Sequence, residues 1–293
     1  MQFFIGLDGG GTGCRAQVEL ADGRRGEVMT AGPANVFSNI DAAIYEISAL
    51  LDRCVAQGQA RGAAALQPVI VLGLAGATES GAAEQVKACL PYQNVTVLGD
   101  IDIAVMGAFP DSDGIVMAVG TGSVVARKYA GGLQRVGGHG LVLGDDGGGA
   151  WIGREALRRC LLAQEGLAEE GPLTQVLWAR FNSGRRIIDF GAAACPADFA
   201  TLAPLVLEQA QAHCPVAGAI LDASCAYLRR TIRRLQAGLP ELGVAAAGGL
   251  GPVLLARMLR RSEPGFRSAE PAGSALDGAL WHARSLALQE KMA

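Results

Sequence analysis

The hydrophobic pattern opens with an apolar run from Phe3 to Leu7, which meets Asp8 and then a burst of glycine. Gly9, Gly10, Gly11 and Gly13 follow, interrupted only by Thr12. From Ala16 to Leu20 apolar and polar residues roughly alternate, as on a half-buried strand. The pattern predicts strand, glycine-rich turn and antiparallel strand, with residues 24–30 as a third strand closing a meander. Gly32, Pro33 and Asn35 then break the chain. Over 39–57, Ile40, Ala43, Ile44, Ile47, Leu50, Leu51 and Cys54 recur at helical spacing, and Asp41 in the first turn complements the helix dipole. Pro68 to Ala75 is a continuous apolar run, expected of a strand buried on both faces. Ser80 is read as the cap of a helix reaching about Leu90, and Val95 to Leu98 as a short buried strand. A further helix is predicted from near Asp100 to just before Pro110.

At the polar turn Asp111-Ser112-Asp113-Gly114 the layout starts again. Residues 114–130, GIVMAVGTGSVVARKYA, read as apolar strand, Gly-Thr-Gly-Ser turn and second strand, the plan of residues 3–20 in different letters. A glycine-rich loop at 137–153 runs into a helix from about Gly149 to Leu162. Helices are predicted over 172–182, 198–212 and 216–236. A short strand at Val244–Ala247 feeds Gly248-Gly249-Leu250-Gly251 and another helix, with Pro252 near its first turn, and 274–290 is a terminal helix. At 293 residues the chain is long for one domain, and the restart suggests two, 1–110 and 111–293. The terminal helix is one element that can pack back on the first.

Half of the residues are hydrophobic but few are aromatic, which favours closely packed α/β layers. A net charge of -3 offers no basic field for nucleic acid or an anionic membrane. Arg229, Arg230, Arg233 and Arg234 alternate with Leu228, Ile232 and Leu235, as on a solvated helix face. Seven scattered cysteines without a C-x-x-C pair supply no zinc or redox spacing, and reduced thiols suit a cytoplasmic protein. The first residues read as a strand and not as a signal peptide. No stretch is long and apolar enough for a membrane span.

The chemistry concentrates in the turns. Without a Cβ, glycine lets backbone N–H groups close on an anion, and a lone carboxylate such as Asp8 suits Mg²⁺, which binds one or two carboxylates and otherwise phosphate and water. Taken alone, residues 3–20 fit a structural hairpin as well as a phosphate cradle. A second phosphate-sized turn in the other half favours the cradle. A Walker A loop is excluded because no Gly-Lys pair occurs, a dinucleotide fold because the turns join strand to strand, and a protein kinase because H-R-D is missing.

DGGGT after the first strand, GTGS after the second and LGDDGGGAWIG downstream resemble the acetate and sugar kinase, Hsc70 and actin superfamily. Within it the match is to the BadF/BadG-like group, which includes N-acetylglucosamine and glucosamine kinases. The resemblance spans nearly the whole chain through five motifs in order. It implies an α/β protein of two ribonuclease H-like (actin-like ATPase) domains, with ATP and sugar in an interdomain cleft that closes on substrate. It implies ATP and Mg²⁺ as cofactors, a small sugar as substrate and a homodimer.

Carried over by residue, the resemblance assigns Asp8 to Mg²⁺ and Gly9, Gly10, Gly11 and Thr12 to the first phosphate loop. Gly120, Thr121, Gly122 and Ser123 form the second, and Gly248, Gly249 and Leu250 the adenosine motif. Asn35, Gly144 and Asp145 contact the sugar, with Asp146 a further candidate. Asp100, at the end of Val95–Gly99, is the base that takes the proton of the sugar hydroxyl. Each residue has a plainer reading: Asp100 as a helix cap, with Asp102 a decoy inside that helix, and Asn35, Asp145 and Asp146 as turn formers. His139, His213, His282 and Trp151 read as incidental or structural. Three departures bear on specificity. Gly13 stands where the family often has a basic residue, leaving Arg15 to meet phosphate charge. Ala75 and Gly148 replace serines, so glucosamine, N-acetylglucosamine and another hexose stay open. The rival readings are an ATPase activator of an iron–sulfur enzyme, which needs converging cysteines such as Cys195, Cys214 and Cys225, and a sugar-responsive regulator without turnover.

Overall fold

Phe3, Ile5 and Leu7 alternate with Phe4 along one strand, and all four are buried, so this strand carries an apolar layer on each face. In the computed structural model, which describes residues 2–63, 67–260 and 265–292, it is β1 (Phe3–Gly9). β2 (Cys14–Leu20) pairs with it antiparallel, and β3 (Met29–Ala31) pairs with β2. After α1 (Ile40–Gly58) comes β4 (Val69–Leu74), with every residue buried; α2 (Ala77–Ser80), α3 (Ala83–Cys89), β5 (Val95–Gly99) and α4 (Asp100–Ala108) follow. β1, β4 and β5 are parallel, in the order β3-β2-β1-β4-β5. Asn39 starts α1 by accepting a hydrogen bond from the N–H of Ala42 at 3.0 Å. One face of the sheet buries Phe3, Ile5 and Leu7 with Ile47, Leu50 and Leu51 of α1.

The second sheet repeats the first. β6 (Gly114–Val119), β7 (Ser123–Tyr129) and β8 (Gly132–Gly137) precede a helical stretch, then β9 (Gly243–Ala247) and β10 (Arg267–Ser268) follow. Its order, β10-β9-β6-β7-β8, matches the first strand for strand, and β9 is parallel to both β6 and β10. Where the first half has α1, the second has α5 (Gly140–Leu143), α6 (Gly149–Gln164), α7 (Pro172–Phe181), α8 (Gly184–Ala193), α9 (Pro196–Ala200), α10 (Ala203–Gln211) and α11 (Pro215–Gln236). α12 (Gly251–Leu259) joins β9 to β10, and α13 (Ala275–Met292) ends the described chain.

The chain falls into two units: Met1–Gly114 with Arg127–Leu133 and Glu270–Ala293, and Ile115–Ala126 with Gln134–Ala269. α13 therefore lies in the first unit. There Ala279, Leu280 and Ala283 pack with Phe4, Val69, Val71 and Ile103 on the sheet face opposite α1. It comes so close that a Cβ on Gly278 would overlap backbone atoms of Ile103 and Gly107. Glu19, 1% exposed, ties the same region together, pairing with Arg25 at 2.8 Å and Arg284 at 3.1 Å, while Arg25 also pairs with Asp277.

Two local expectations change. Ser80 is the last residue of α2 and the N-cap position of α3 falls on Ala82, because Gly81 in the left-handed region (φ 66°) breaks the helix between them. Residues 198–212 split into α9 and α10, with α8 before them. Asp189-Phe190-Gly191 spells a protein-kinase motif but lies inside α8. Asp189 bonds Arg185 at 2.8 Å one turn away, and the Phe190 ring packs edge-on against Phe181 and Phe199. It is helix interior packed among aromatics, not a metal loop.

Candidate active site

In a sheet of this kind ligands gather at the carboxyl ends of the parallel strands. In the first unit that edge carries the turn after β1, the Ala75-Gly76 segment after β4 and Asp100 after β5. The turn is held from within and without: Gly10 N–H donates to the Gly13 carbonyl at 2.9 Å, Ala34 N–H to the Gly10 carbonyl at 3.0 Å, and Ala75 N–H to the Gly9 carbonyl at 2.8 Å. Gly11 and Thr12 remain exposed at its tip. An open pocket of about 380 Å³ lies beside it, lined by Asp8, Gly10, Thr12, Gly13, Cys14, Arg15, Thr30 and Ala31.

Asp8 faces Arg15 directly across the β1–β2 ladder, and the Arg15 guanidinium donates to Asp8 Oδ2 from Nε at 3.0 Å and from a terminal nitrogen at 2.9 Å. Cys14, also in the pocket wall, stays a neutral thiol: burial first, then the Glu46 carboxylate, pushes its pKa up to about 11. Among the described residues no three His, Cys, Asp or Glu side chains are grouped to hold a metal ion. A single carboxylate at an open pocket nonetheless fits Mg²⁺ that arrives with phosphate and water as its other ligands.

Asn35 bridges the same edge. Its Oδ1 accepts from Phe37 N–H at 2.9 Å and Ser38 N–H at 3.2 Å, and its Nδ2 faces Gly11. The carbonyl end is thus spent on an Asx turn, and the amide end is left facing the glycine-rich turn. Asp100 is half-buried in the first turn of α4 and accepts from Ile101 N–H at 2.8 Å. Asp102 is 4% exposed and accepts from Gly99 N–H at 3.0 Å. It closes the helix N-terminus, which accounts for it structurally.

In the second unit the three glycine-rich segments converge. Gly149 N–H donates to the Gly120 carbonyl at 2.8 Å and Ala150 N–H to the Thr121 carbonyl at 2.9 Å, joining the GTGS turn to the start of α6. Ser123 Oγ donates to the Asp146 carbonyl at 2.9 Å. Leu250 N–H donates to the Val119 carbonyl at 2.9 Å, and a Cβ on Gly248 would overlap that carbonyl. Leu250 also packs against Gly149, so the segments at 120–123, 144–149 and 248–251 form one cluster. Asp145 occupies the left-handed region (φ 57°), with its carboxylate against Gly122 and accepting from Gly140 N–H at 3.3 Å. Burial pushes its pKa above the usual carboxylate range, although hydrogen bonds from Gly140 and Ser123 oppose the shift.

Sequence reading passed over the residues that support this cluster. Ser224 on α11, fully buried, donates from Oγ to the Gly147 carbonyl at 3.0 Å. Tyr227, one turn on, presents its hydroxyl to Gly137. A serine on the face shared by Ile220, Leu221 and Leu228 was the available signal, since a polar residue on an apolar stripe needs a partner.

Residues 5–259 match the model of the BadF/BadG/BcrA/BcrD ATPase family. A glucosamine kinase of Vibrio cholerae serotype O1, GspK, is 28% identical over 77% of this chain and 78% of its own length. An N-acetylmuramic acid/N-acetylglucosamine kinase of Clostridium acetobutylicum is 29% identical over 55% of this chain and 54% of its own. A solved structure from Chromobacterium violaceum, provisionally named an N-acetylglucosamine kinase, superposes with a TM-score of 0.83 at 29% identity, covering 97% of this chain and 99% of the other.

Proposed function

This chain belongs to the BadF/BadG/BcrA/BcrD ATPase family, and on that premise we propose that it transfers the γ-phosphoryl group of ATP to a hydroxyl of an amino sugar. Glucosamine and N-acetylglucosamine are the first substrates to consider. The observation that carries the reading is the repeated five-strand frame, with a glycine-rich turn at the end of each central strand and a carboxylate, Asp100, at the end of β5. The kinase names of relatives at 28% and 29% identity support it.

Phosphoryl transfer asks for positioning and charge stabilisation more than for covalent help. In this reading the backbone N–H groups of Gly9–Thr12 and Gly120–Ser123 hold the phosphate oxygens and absorb charge as it develops. Gly248, Gly249 and Leu250 border the adenosine. Asn35, through Nδ2, and Gly144 with Asp145 orient the sugar. Asp100 accepts the hydroxyl proton as that oxygen bonds the γ-phosphorus and the bond to the bridging β–γ oxygen breaks, releasing ADP. Asp8 would hold Mg²⁺, which when bound neutralises charge on the β- and γ-phosphates. The protein acts on a small molecule, and among the described residues no helix is long and apolar enough to cross a membrane.

A coupled ADP-release assay over glucosamine, N-acetylglucosamine, N-acetylmuramic acid, N-acetylmannosamine and glucose tests the proposal. Sugar-dependent turnover with one amino sugar preferred is the expected result. ATP hydrolysis indifferent to every sugar, with iron in the purified protein, would replace the kinase with an activator ATPase.

A further inference from the structure

Arg15 and Asp8 stand directly opposite each other on β2 and β1, and their charges meet at 2.9 Å on the wall of the open pocket beside the glycine-rich turn. The Arg15 side chain is 50% exposed and that of Asp8 20%. The pair therefore sits at a wet edge where a competing anion can reach the arginine. Arginine binds phosphate bidentately as readily as carboxylate, whereas Asp8 with Arg15 on its Oδ2 is a neutralised and obstructed cation ligand. The other pocket-lining residues bring no second acidic side chain that would hold a cation by itself.

We propose that Arg15 is a removable counter-ion for Asp8. In the nucleotide-free protein it keeps free divalent cations off the carboxylate. Phosphate entering the pocket draws the guanidinium away and uncovers Asp8 for the metal ion that the nucleotide brings. Arg15 is then a positioning residue, and it supplies from β2 the positive charge that Gly13 lacks. The inference rests on the kinase reading for the identity of the phosphate, though not for the exchange itself.

Mn²⁺ alone is titrated into the wild type, D8N, R15Q and the double variant D8N/R15Q, with free Mn²⁺ followed by electron paramagnetic resonance. Calorimetry then measures the affinity of the β,γ-imido analogue of ATP in EDTA. The wild type and D8N should bind Mn²⁺ alone equally weakly, because Asp8 is already occupied. R15Q should bind it about two- to fivefold tighter, the size expected for releasing one partly exposed ion pair, and D8N/R15Q should lose that gain. R15Q should also bind the analogue in EDTA several-fold more weakly than the wild type. Mn²⁺ affinity that is unchanged in R15Q, or a gain that survives in D8N/R15Q, overturns the proposal. So does a fall in Mn²⁺ affinity from the wild type to D8N, a comparison that holds even if R15Q does not fold. A wild type that binds the analogue and shows the exchange but phosphorylates no sugar would sink the kinase reading and leave this one standing.

Discussion

Gly11 and Gly122 lie in corresponding turns, after the central strands β1 and β6 of the two sheets. A methyl group added to each meets opposite surroundings. At Gly11 its nearest neighbour is Asn35 Nδ2, 3.9 Å away, in ordinary contact, while at Gly122 it overlaps the carboxylate of Asp145. The first turn is open and flanked by charged side chains: Asp8 and Arg15, with Asp100 two strands along. The second is closed, pressed between the start of α6 and the 144–149 loop, with the 248–251 segment on β6. One topology thus carries two kinds of edge. In the first, the glycines at the tip border open space; in the second, much of the glycine leaves room for neighbouring backbone.

The largest test of that contrast is Asp100→Asn. The variant keeps an oxygen to accept from Ile101 N–H, so it should fold and bind sugar while phosphorylation falls by roughly 10²–10⁴-fold, the range for losing a positioned base. Turnover near that of the wild type would return Asp100 to a plain helix residue. Gly278→Ala comes next. Its added methyl overlaps backbone of Ile103 and Gly107, so α13 and α4 must separate at a cost of about 3 kcal/mol. A melting temperature lowered by only a degree or two would show that α13 is loosely held.

The paired substitutions Gly122→Ala and Gly11→Ala compare the edges directly. The first should destabilise the fold by about 2 kcal/mol as the Asp145 loop shifts, read from urea unfolding. The second should change stability by less than about 0.5 kcal/mol and reveal itself only as weaker nucleotide binding. Equal stability losses would erase the distinction. The smallest effect concerns Asp145. Its pKa is raised in the folded protein by burial, so ionisation penalises the fold: stability is greatest below the unfolded carboxylate value and is lost as pH rises through the folded one. Asp145→Asn removes that titration. The variant should gain on the wild type between about pH 4 and neutrality, and unfolding curves that stay parallel across this window would show that Asp145 ionises freely.

Much of this was legible in the letters because apolar periodicity and glycine placement are local properties. The run Phe3–Leu7, the buried strand within Pro68–Ala75 and the seam of α1 each sit where spacing put them. The start of α4 at Asp100 follows from the end of a buried strand. Ser80 misled because a cap depends on the backbone that follows it, and Gly81, the next residue, turns left-handed. Residues 198–212 misled because Pro204 can open a helix as readily as continue a pattern, and the chain uses it in the first turn of α10.

By itself the sequence determined the two-fold restart of strand, glycine turn and strand, and it marked Asp8 and Asp100 as carboxylates at strand ends. Those follow from side-chain period and the conformational reach of glycine, which neighbours in the chain decide. Only the tertiary structure decided that α13, last in the chain, belongs to the first unit, where Gly278 lets its backbone touch that of α4. Only it decided that Arg15 closes on Asp8, that Asp145 leans on Gly122, and that Ser224, 77 residues from Gly147, holds the loop beneath it. Such contacts join residues far apart along the chain or across a ladder. Their energies depend on how closely the packed layers let charges and carbonyls approach, a distance that no local pattern records.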